Sequence, residues 1–403
     1  MREWKTDAVS VLENTNTRGA VIPTSFTSAG ALDARRFHTG IAGYEKTPLV
    51  SLPALAGKLN IKGLYIKDES KRFSLNAFKG LGGSYAMFRI LCERLSLDPN
   101  RTSLQNLIDA GRDGRLDGIE FVTCTDGNHG KGVSWAAGIL GCKAHVYMPF
   151  GSQEVRAEAI RKAGPADVII TDLSYDDTVR YAKKLSEEHG WILIQDTAWD
   201  GYEKIPAWII QGYLTLAAEA AEELDRLAVR PTHIFLQAGV GAMAGGVLGY
   251  LMDHYRSEKP VAAIVEPEAA ACIYRSAKAD DGEPHAVEGA PVTIMAGLNC
   301  GTPCSITWPI LRDYASFYVS CSDRIAAKGM CRFAAGLEGD PKVISGESGA
   351  AALGAAEAIL TDEALSEARA AMGLNADSIL FLISTEGDTD PDNYERIVFR
   401  GEL

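Results

Sequence analysis

The sequence predicts an α/β fold with mostly parallel sheets. Three observations carry that prediction: short apolar runs recur along the chain, helical stretches separate them, and a glycine-rich turn follows one of the runs. In chain order the runs are 63–67, 120–124, 143–148, 167–170, 191–194, 234–236, 262–265 and 379–383. Each is nearly continuous in apolar character, as expected for strands covered by helices on both faces. Between them the spacing predicts helices over 133–140, 176–188, 208–227, 245–255 and 349–360. Residues 109–118 and 279–289 are rich in turn formers and acids and read as surface loops. There is no repeat of 20–50 residues and no low-complexity block.

The chain has 403 residues, enough for two or three domains, and its 46% apolar and 23% charged content is that of a globular protein. A net charge of −13, with no runs of Lys or Arg, argues against nucleic acid and anionic membranes as partners and for a small-molecule ligand. Neither the first residues, Met1-Arg2-Glu3-Trp4-Lys5, nor any later stretch has the apolar length of a signal or a membrane span, so the expected location is the cytoplasm. The eight cysteines (92, 124, 142, 272, 300, 304, 321, 331) include no CxxC pair and read as reduced, buried thiols. Cys300 and Cys304, with Cys272 as a third member, come nearest to a ligand cluster. His and further Cys at ligand spacing are missing, and no metal is expected.

Three segments carry chemistry. The first, Gly239-Val240-Gly241-Ala242-Met243-Ala244-Gly245-Gly246, joins a strand-like run to a helix, where free N–H groups and the helix dipole favour an anion. It suits the phosphate of a cofactor. It also matches the GxGxxG/A spacing of a dinucleotide site, with Glu266 as a ribose ligand and an oxidoreductase as the consequence, and a plain tight turn reads the same way. The second is Lys79 in Asn76-Ala77-Phe78-Lys79-Gly80-Leu81-Gly82-Gly83. No acid stands at i±4, so a lowered pKa and a nucleophilic amine are expected, and the glycines leave room for a flat ring. The third, Thr125-Asp126-Gly127-Asn128-His129-Gly130, leaves a strand and enters a helix, presenting donors suited to a carboxylate or a ring hydroxyl. An ordinary capped turn has the same composition.

These segments, followed by Gly346-Glu347-Ser348-Gly349-Ala350 and Ser384-Thr385-Glu386-Gly387-Asp388, stand in the order seen in fold-type II pyridoxal phosphate enzymes, the tryptophan synthase β family, which the chain resembles. Within that group it is similar to the diaminopropionate ammonia-lyase family, through Leu75-Asn76-Ala77-Phe78-Lys79, Thr125-Asp126-Gly127-Asn128-His129-Gly130, Gln195-Asp196-Thr197-Ala198-Trp199-Asp200-Gly201-Tyr202-Glu203-Lys204-Ile205-Pro206, Gln211-Gly212-Tyr213 and Ser384-Thr385-Glu386-Gly387-Asp388-Thr389-Asp390. The resemblance runs from about Thr47 to Pro391.

The resemblance implies two domains, each with a mostly parallel sheet flanked by helices: a large one from 1–85 and 210–403, and a small one over 86–209. It implies a homodimer and pyridoxal 5'-phosphate as cofactor. Lys79 would hold the cofactor as a Schiff base, and Gly239, Val240, Gly241, Ala242 and Met243 would wrap its phosphate. Asn128 would touch the ring hydroxyl, Phe78 would pack beside the ring, and Ser384, with Thr385 as second choice, would face the ring nitrogen. Thr125, Asp126, His129 and Asp196 would meet the substrate.

The implied reaction is α,β-elimination of 2,3-diaminopropionate to pyruvate and ammonia, a carbon–nitrogen lyase activity. A carboxylate at Asp126, where dehydratases of this fold carry a small residue, would attract a second ammonium, and Asp196 adds another acid. Lys79 and Asp126 would then act as bases on opposite faces of Cα. Both acids also suit local jobs, a helix cap and a strand-end turn. A serine or threonine dehydratase, or another β-eliminating lyase, is the alternative of the same cofactor class. A catalytically inactive binding protein would share the motifs.

Overall fold

The apolar runs condense into two sheets in a computed structural model that describes residues 1–15, 17–289 and 291–403. The strands are β1 Glu3–Lys5, β2 Val9–Glu13, β3 Leu49–Ser51, β4 Gly63–Asp68, β5 Glu120–Cys124, β6 Lys143–Met148, β7 Ala166–Ile170, β8 Ile192–Leu193, β9 His233–Gln237, β10 Val261–Pro267, β11 Phe317–Cys321 and β12 Ile379–Ser384. The larger sheet has the order β1-β2-β11-β10-β9-β12-β4-β3, the smaller one β7-β6-β5-β8. From β11 to β4 the larger sheet is parallel, with antiparallel β1, β2 and β3 at its margins, and the smaller sheet is parallel throughout. Every residue of β9 and of β11 is buried, as expected of parallel strands covered on both faces.

Parallel strands require crossover helices, and helices cover both sheets. The longest is Lys204–Arg226, which packs on the helix Gly80–Arg94; the latter also meets Asn128–Leu140. The glycines beside Lys79 make this packing possible. A Cβ on Gly82 would come 2.4 Å from Tyr213 Cε1, and one on Gly132 would come 2.9 Å from the Gly80 nitrogen. The room expected there for a flat ring is therefore taken by a neighbouring helix. Residues 109–112 also differ from expectation: they end the helix Leu104–Arg112, which Ser103 and Asn106 close with reciprocal side-chain bonds, and only the following residues turn. The boundaries 85/86 and 209/210 fall inside Gly80–Arg94 and Lys204–Arg226. No helix among the described residues is long and apolar enough to cross a membrane.

A buried ion network holds the chain that leads from β4 towards Lys79. Lys67 Nζ donates to Glu219 at 2.6 Å, Arg72 donates to Glu219 at 2.7 and 2.9 Å and to Glu69 at 2.9 Å, and Tyr44 donates to Glu219 at 2.7 Å. Burial pushes the Glu219 carboxyl up, but the bonds from Arg72 and the charge of Lys67 outweigh it and hold it at about 2. A carboxyl depressed in the folded state stabilises the fold above its unfolded pKa and loses that contribution as pH falls towards 2. Glu219→Ala leaves two buried cations without their shared partner. It is expected to lower the unfolding free energy by roughly 3–5 kcal/mol, read from urea titrations at neutral pH.

Candidate active site

In parallel sheets, the strand carboxyl ends and the helix starts that follow them leave a crevice suited to a ligand. Here both sheets direct such ends at one cavity. The turn after β9 contributes 239–243, the loop after β12 contributes Thr385 and Glu386, the loop after β5 contributes Thr125, Asp126, Asn128 and His129, and the segment after β8 contributes Asp196.

Lys79 stands immediately before the helix Gly80–Arg94. The chain reaches it through three non-glycine residues with positive φ, Phe73 at 50°, Ser74 at 59° and Asn76 at 58°, a conformation that persists only where surrounding contacts impose it. Those contacts come from the loop after β12. Phe78 N–H donates to the Thr385 carbonyl at 3.1 Å, Gly387 N–H to the Asn76 carbonyl at 3.1 Å, and Asn76 Nδ2 to Asp388 at 2.9 Å. A Cβ on Gly387 would fall 2.1 Å from Asn76 Oδ1, so this crossing requires glycine.

The lysine is not uncompensated. Its Nζ donates to Asp196 Oδ2, and although burial works to lower its pKa, the charge of Asp196 raises it above the usual lysine value. The lowered pKa expected from the sequence is thereby corrected: the partner is 117 positions away, where no i±4 search finds it. Asp196 shows the reciprocal effect. Burial opposes its ionisation, and the charges of His129 and Lys79 overcome this and hold it at about 2. Its position is fixed by a compact turn in which Trp199 stacks on Tyr202 at 4.5 Å and Tyr202 Oη accepts from the Gln195 N–H at 2.8 Å.

Asp126 lies across the cavity. Burial pushes its carboxyl up, against the pull of Arg156 and Lys79. Thr125 lines the cavity, but its hydroxyl accepts from the N–H groups of Gly127 at 2.9 Å and Gly130 at 3.0 Å, the work of a helix cap. Asn128 Nδ2 donates to Glu386, whose carboxyl burial pushes up and which also accepts from the Ser348 N–H at 3.2 Å. Phe78 packs edge-on to Tyr213, with ring centroids 4.7 Å apart. The Ser384 hydroxyl bonds to Ser345 Oγ at 2.8 Å, and Thr385 borders the cavity. Successive residues at a strand end point to opposite sides, so one of the two turns away.

Glu386, Tyr213, Tyr175 and Arg156 went unassigned in the sequence. Glu386 and Tyr213 lie within motifs already singled out and could have been found there. Arg156 is on the amphipathic helix Glu154–Ala163, whose pattern gives no sign that it faces a site. Glu266 caps the helix Cys272–Ala279, accepting from Ile273 N–H at 2.8 Å and Tyr274 N–H at 2.6 Å. That accounts for its carboxylate without a ribose. Cys272 Sγ lies 3.6 Å from the Gly239 carbonyl and 3.8 Å from that of Cys300.

The residues present fit pyridoxal phosphate. Gly241 has φ 85° and opens the helix Ala242–His254, which no side chain caps, so its first N–H groups are available to an anion. A Cβ on Gly239 would meet the Leu298 backbone at 3.1 Å. The amine of Lys79 borders the same cavity, and three buried polar atoms on its walls have no partner: His129 Nδ1, Tyr213 Oη and Gln237 Oε1.

Comparison with known proteins agrees with this fit. A family model described as pyridoxal-phosphate dependent enzyme matches residues 41–383. The chain is 47% identical over 394 residues to the diaminopropionate ammonia-lyase of Escherichia coli (strain K12), covering 98% of this chain and 97% of that protein. It is 50% identical over 367 residues to that of Salmonella typhimurium, covering 91% of each. The crystal structure of the Escherichia coli enzyme in complex with an aminoacrylate-PLP azomethine reaction intermediate superposes with a TM-score of 0.88, at 45% identity, over 99% of both chains. The similarity thus reaches the first forty residues, beyond the extent of the motifs. The chain belongs to the pyridoxal-phosphate dependent enzyme family and, within it, to the family of the diaminopropionate ammonia-lyases.

Proposed function

We propose that this enzyme eliminates ammonia from 2,3-diaminopropionate, giving pyruvate and a second ammonia. The observation that carries the reading is the pair of carboxylates, Asp126 and Asp196, which border one cavity with Lys79 and suit a substrate carrying a cation on Cβ. Bound pyridoxal phosphate supplies an electron sink for the pair left when the Cα proton departs. Lys79 holds it, the N–H groups of 239–243 bind its phosphate, and Phe78, Asn128 and Thr385 border its ring. Thr385 takes the place first expected of Ser384.

Lys79 Nζ and the Asp126 carboxylate are the two proton acceptors, one for each enantiomer. The released 2-aminoacrylate hydrolyses in water. Closure of the small sheet with its helices, about 86–209, over the large one, 1–85 and 210–403, would exclude water from the cavity. Asn128 to Glu386 and Arg156 to Asp390, the latter at 3.7 Å, are the polar contacts that support such a closed arrangement. A cytoplasmic homodimer is part of the same reading.

Parallel assays of purified holoenzyme on D,L-diaminopropionate, serine and threonine test it. Pyruvate from diaminopropionate at the highest kcat/KM is expected, and a preference for serine or threonine would replace this reading with a dehydratase.

A further inference from the structure

Arg156 stands in the first turn of the helix Glu154–Ala163, with 13% of its side chain exposed. Its arm runs against Gly127, where a Cβ would lie 3.4 Å from Arg156 Cδ, and Nη1 comes within 3.5 Å of the Asp126 carbonyl oxygen. Nη2 lies 3.7 Å from Asp390 Oδ2. Asp390 Oδ1 accepts from the Asn393 N–H at 3.2 Å, which fixes that carboxylate as the cap of the helix Pro391–Arg400. One guanidinium thus ties the loop of Asp126 to a segment that follows β12 of the larger sheet. A buried cation persists only beside groups of opposite charge, and Asp126, Glu386 and Glu347 all feel this one. Among the described residues, the charged and titratable groups facing Asp126 are Arg156, Lys79, Asp196, Glu386 and Tyr175. Of the two cations, Lys79 is engaged by Asp196, which leaves Arg156 to Asp126. Burial pushes the Asp126 carboxyl up, and Arg156 exerts the largest opposing pull.

We propose that Arg156 is a positioning residue for one enantiomer of the substrate, holding the Asp126 loop and its carboxylate in place at the cavity. The proposal rests on the elimination reading above, with Asp126 as proton acceptor for the D-isomer. In that reaction the Cα proton passes to a carboxylate oxygen of Asp126. The electron pair it leaves becomes the Cα–Cβ double bond as the Cβ–N bond breaks, and the Cβ ammonium departs with its bonding pair as ammonia. Asp126 accepts a proton only while ionised, and a guanidinium fixed beside it keeps it ionised to lower pH. Lys79, paired with Asp196 on another segment, does not depend on Arg156 in this way.

The test compares wild-type, Arg156→Gln and Arg156→Lys holoenzymes on the separate D- and L-isomers, with pyruvate formation followed against pH and normalised to bound cofactor. Removing the cation raises the pH at which Asp126 ionises. In Arg156→Gln the acid limb of kcat/KM for the D-isomer should therefore move up by about one pH unit, and on that limb the D to L ratio should fall about tenfold. A merely structural tie between the two sheets would lower both isomers alike and move neither limb. That result, or a D-isomer limb that stays in place, overturns the proposal. Arg156→Lys keeps the charge but cannot reach the Asp126 carbonyl and Asp390 at once. Its limb should stay near the wild-type position while the D to L ratio falls about threefold, on the same argument of lost bridging contacts. If Arg156→Gln does not fold, this ratio decides, and a wild-type ratio in Arg156→Lys overturns the proposal. Wild-type enzyme that gives no pyruvate from either isomer contradicts the substrate reading instead, and D- and L-serine then serve in the comparison.

Discussion

Lys79→Ala is expected to lower turnover by roughly 10³-fold or more while leaving the fold intact, because the lost amine both anchors the cofactor and accepts a proton. The fold should survive since Lys79 is outside the buried ion network around Glu219, and the helix it precedes is held by packing of Gly82 against Tyr213. The visible band of the bound cofactor should shift to that of the free aldehyde. Asp196, deprived of its lysine, keeps the His129 ring nitrogen at 3.7 Å. Lys79→Arg keeps the charge for Asp196 but not the nucleophilic amine, and should be equally inactive. Turnover by Lys79→Arg near the wild-type rate would contradict the role given to this nitrogen.

Asp126→Asn is expected to reduce kcat/KM for D-diaminopropionate by about 10²–10⁴-fold, the loss typical of removing a general base, and to affect the L-isomer far less. The argument is geometric: Lys79 and Asp126 border one cavity from different segments, Lys79 anchored before Gly80–Arg94 and Asp126 on the loop after β5. A Cα held between them exposes its hydrogen to one or the other according to its configuration. Burial pushes the Asp126 carboxyl up, which makes it a better proton acceptor than an exposed aspartate. Chiral assays of the two isomers separate the outcomes, and equal losses would remove the two-base division.

Much of this was legible in the sequence because its signals are local. The eight apolar runs became strands, and the glycine turn became the start of a helix, since strand burial and helix starts leave short-range patterns. What escaped depends on distance or on weak pattern. Strands β1, β2 and β3 are short, partly exposed and at or near the sheet margins, and β11 carries Ser320 within its five residues, so the apolar continuity that marked the others is missing. The Lys79–Asp196 pair joins residues 117 positions apart, and only the folded chain shows that the lysine is charge-compensated. Ser384 and Thr385 are neighbours with interchangeable chemistry, and which one faces the cavity depends on the strand's pleat, which composition does not encode. His129 was placed at the site by its motif, but the unpartnered Nδ1 belongs to three-dimensional geometry alone.

The central claim is that the ε-nitrogen at position 79 carries the cofactor. Borohydride reduction of the holoenzyme, followed by proteolysis and mass spectrometry, tests it most directly. A pyridoxyl mass on the peptide containing Lys79 is the predicted result, and that mass on another lysine, or on none, would contradict the account.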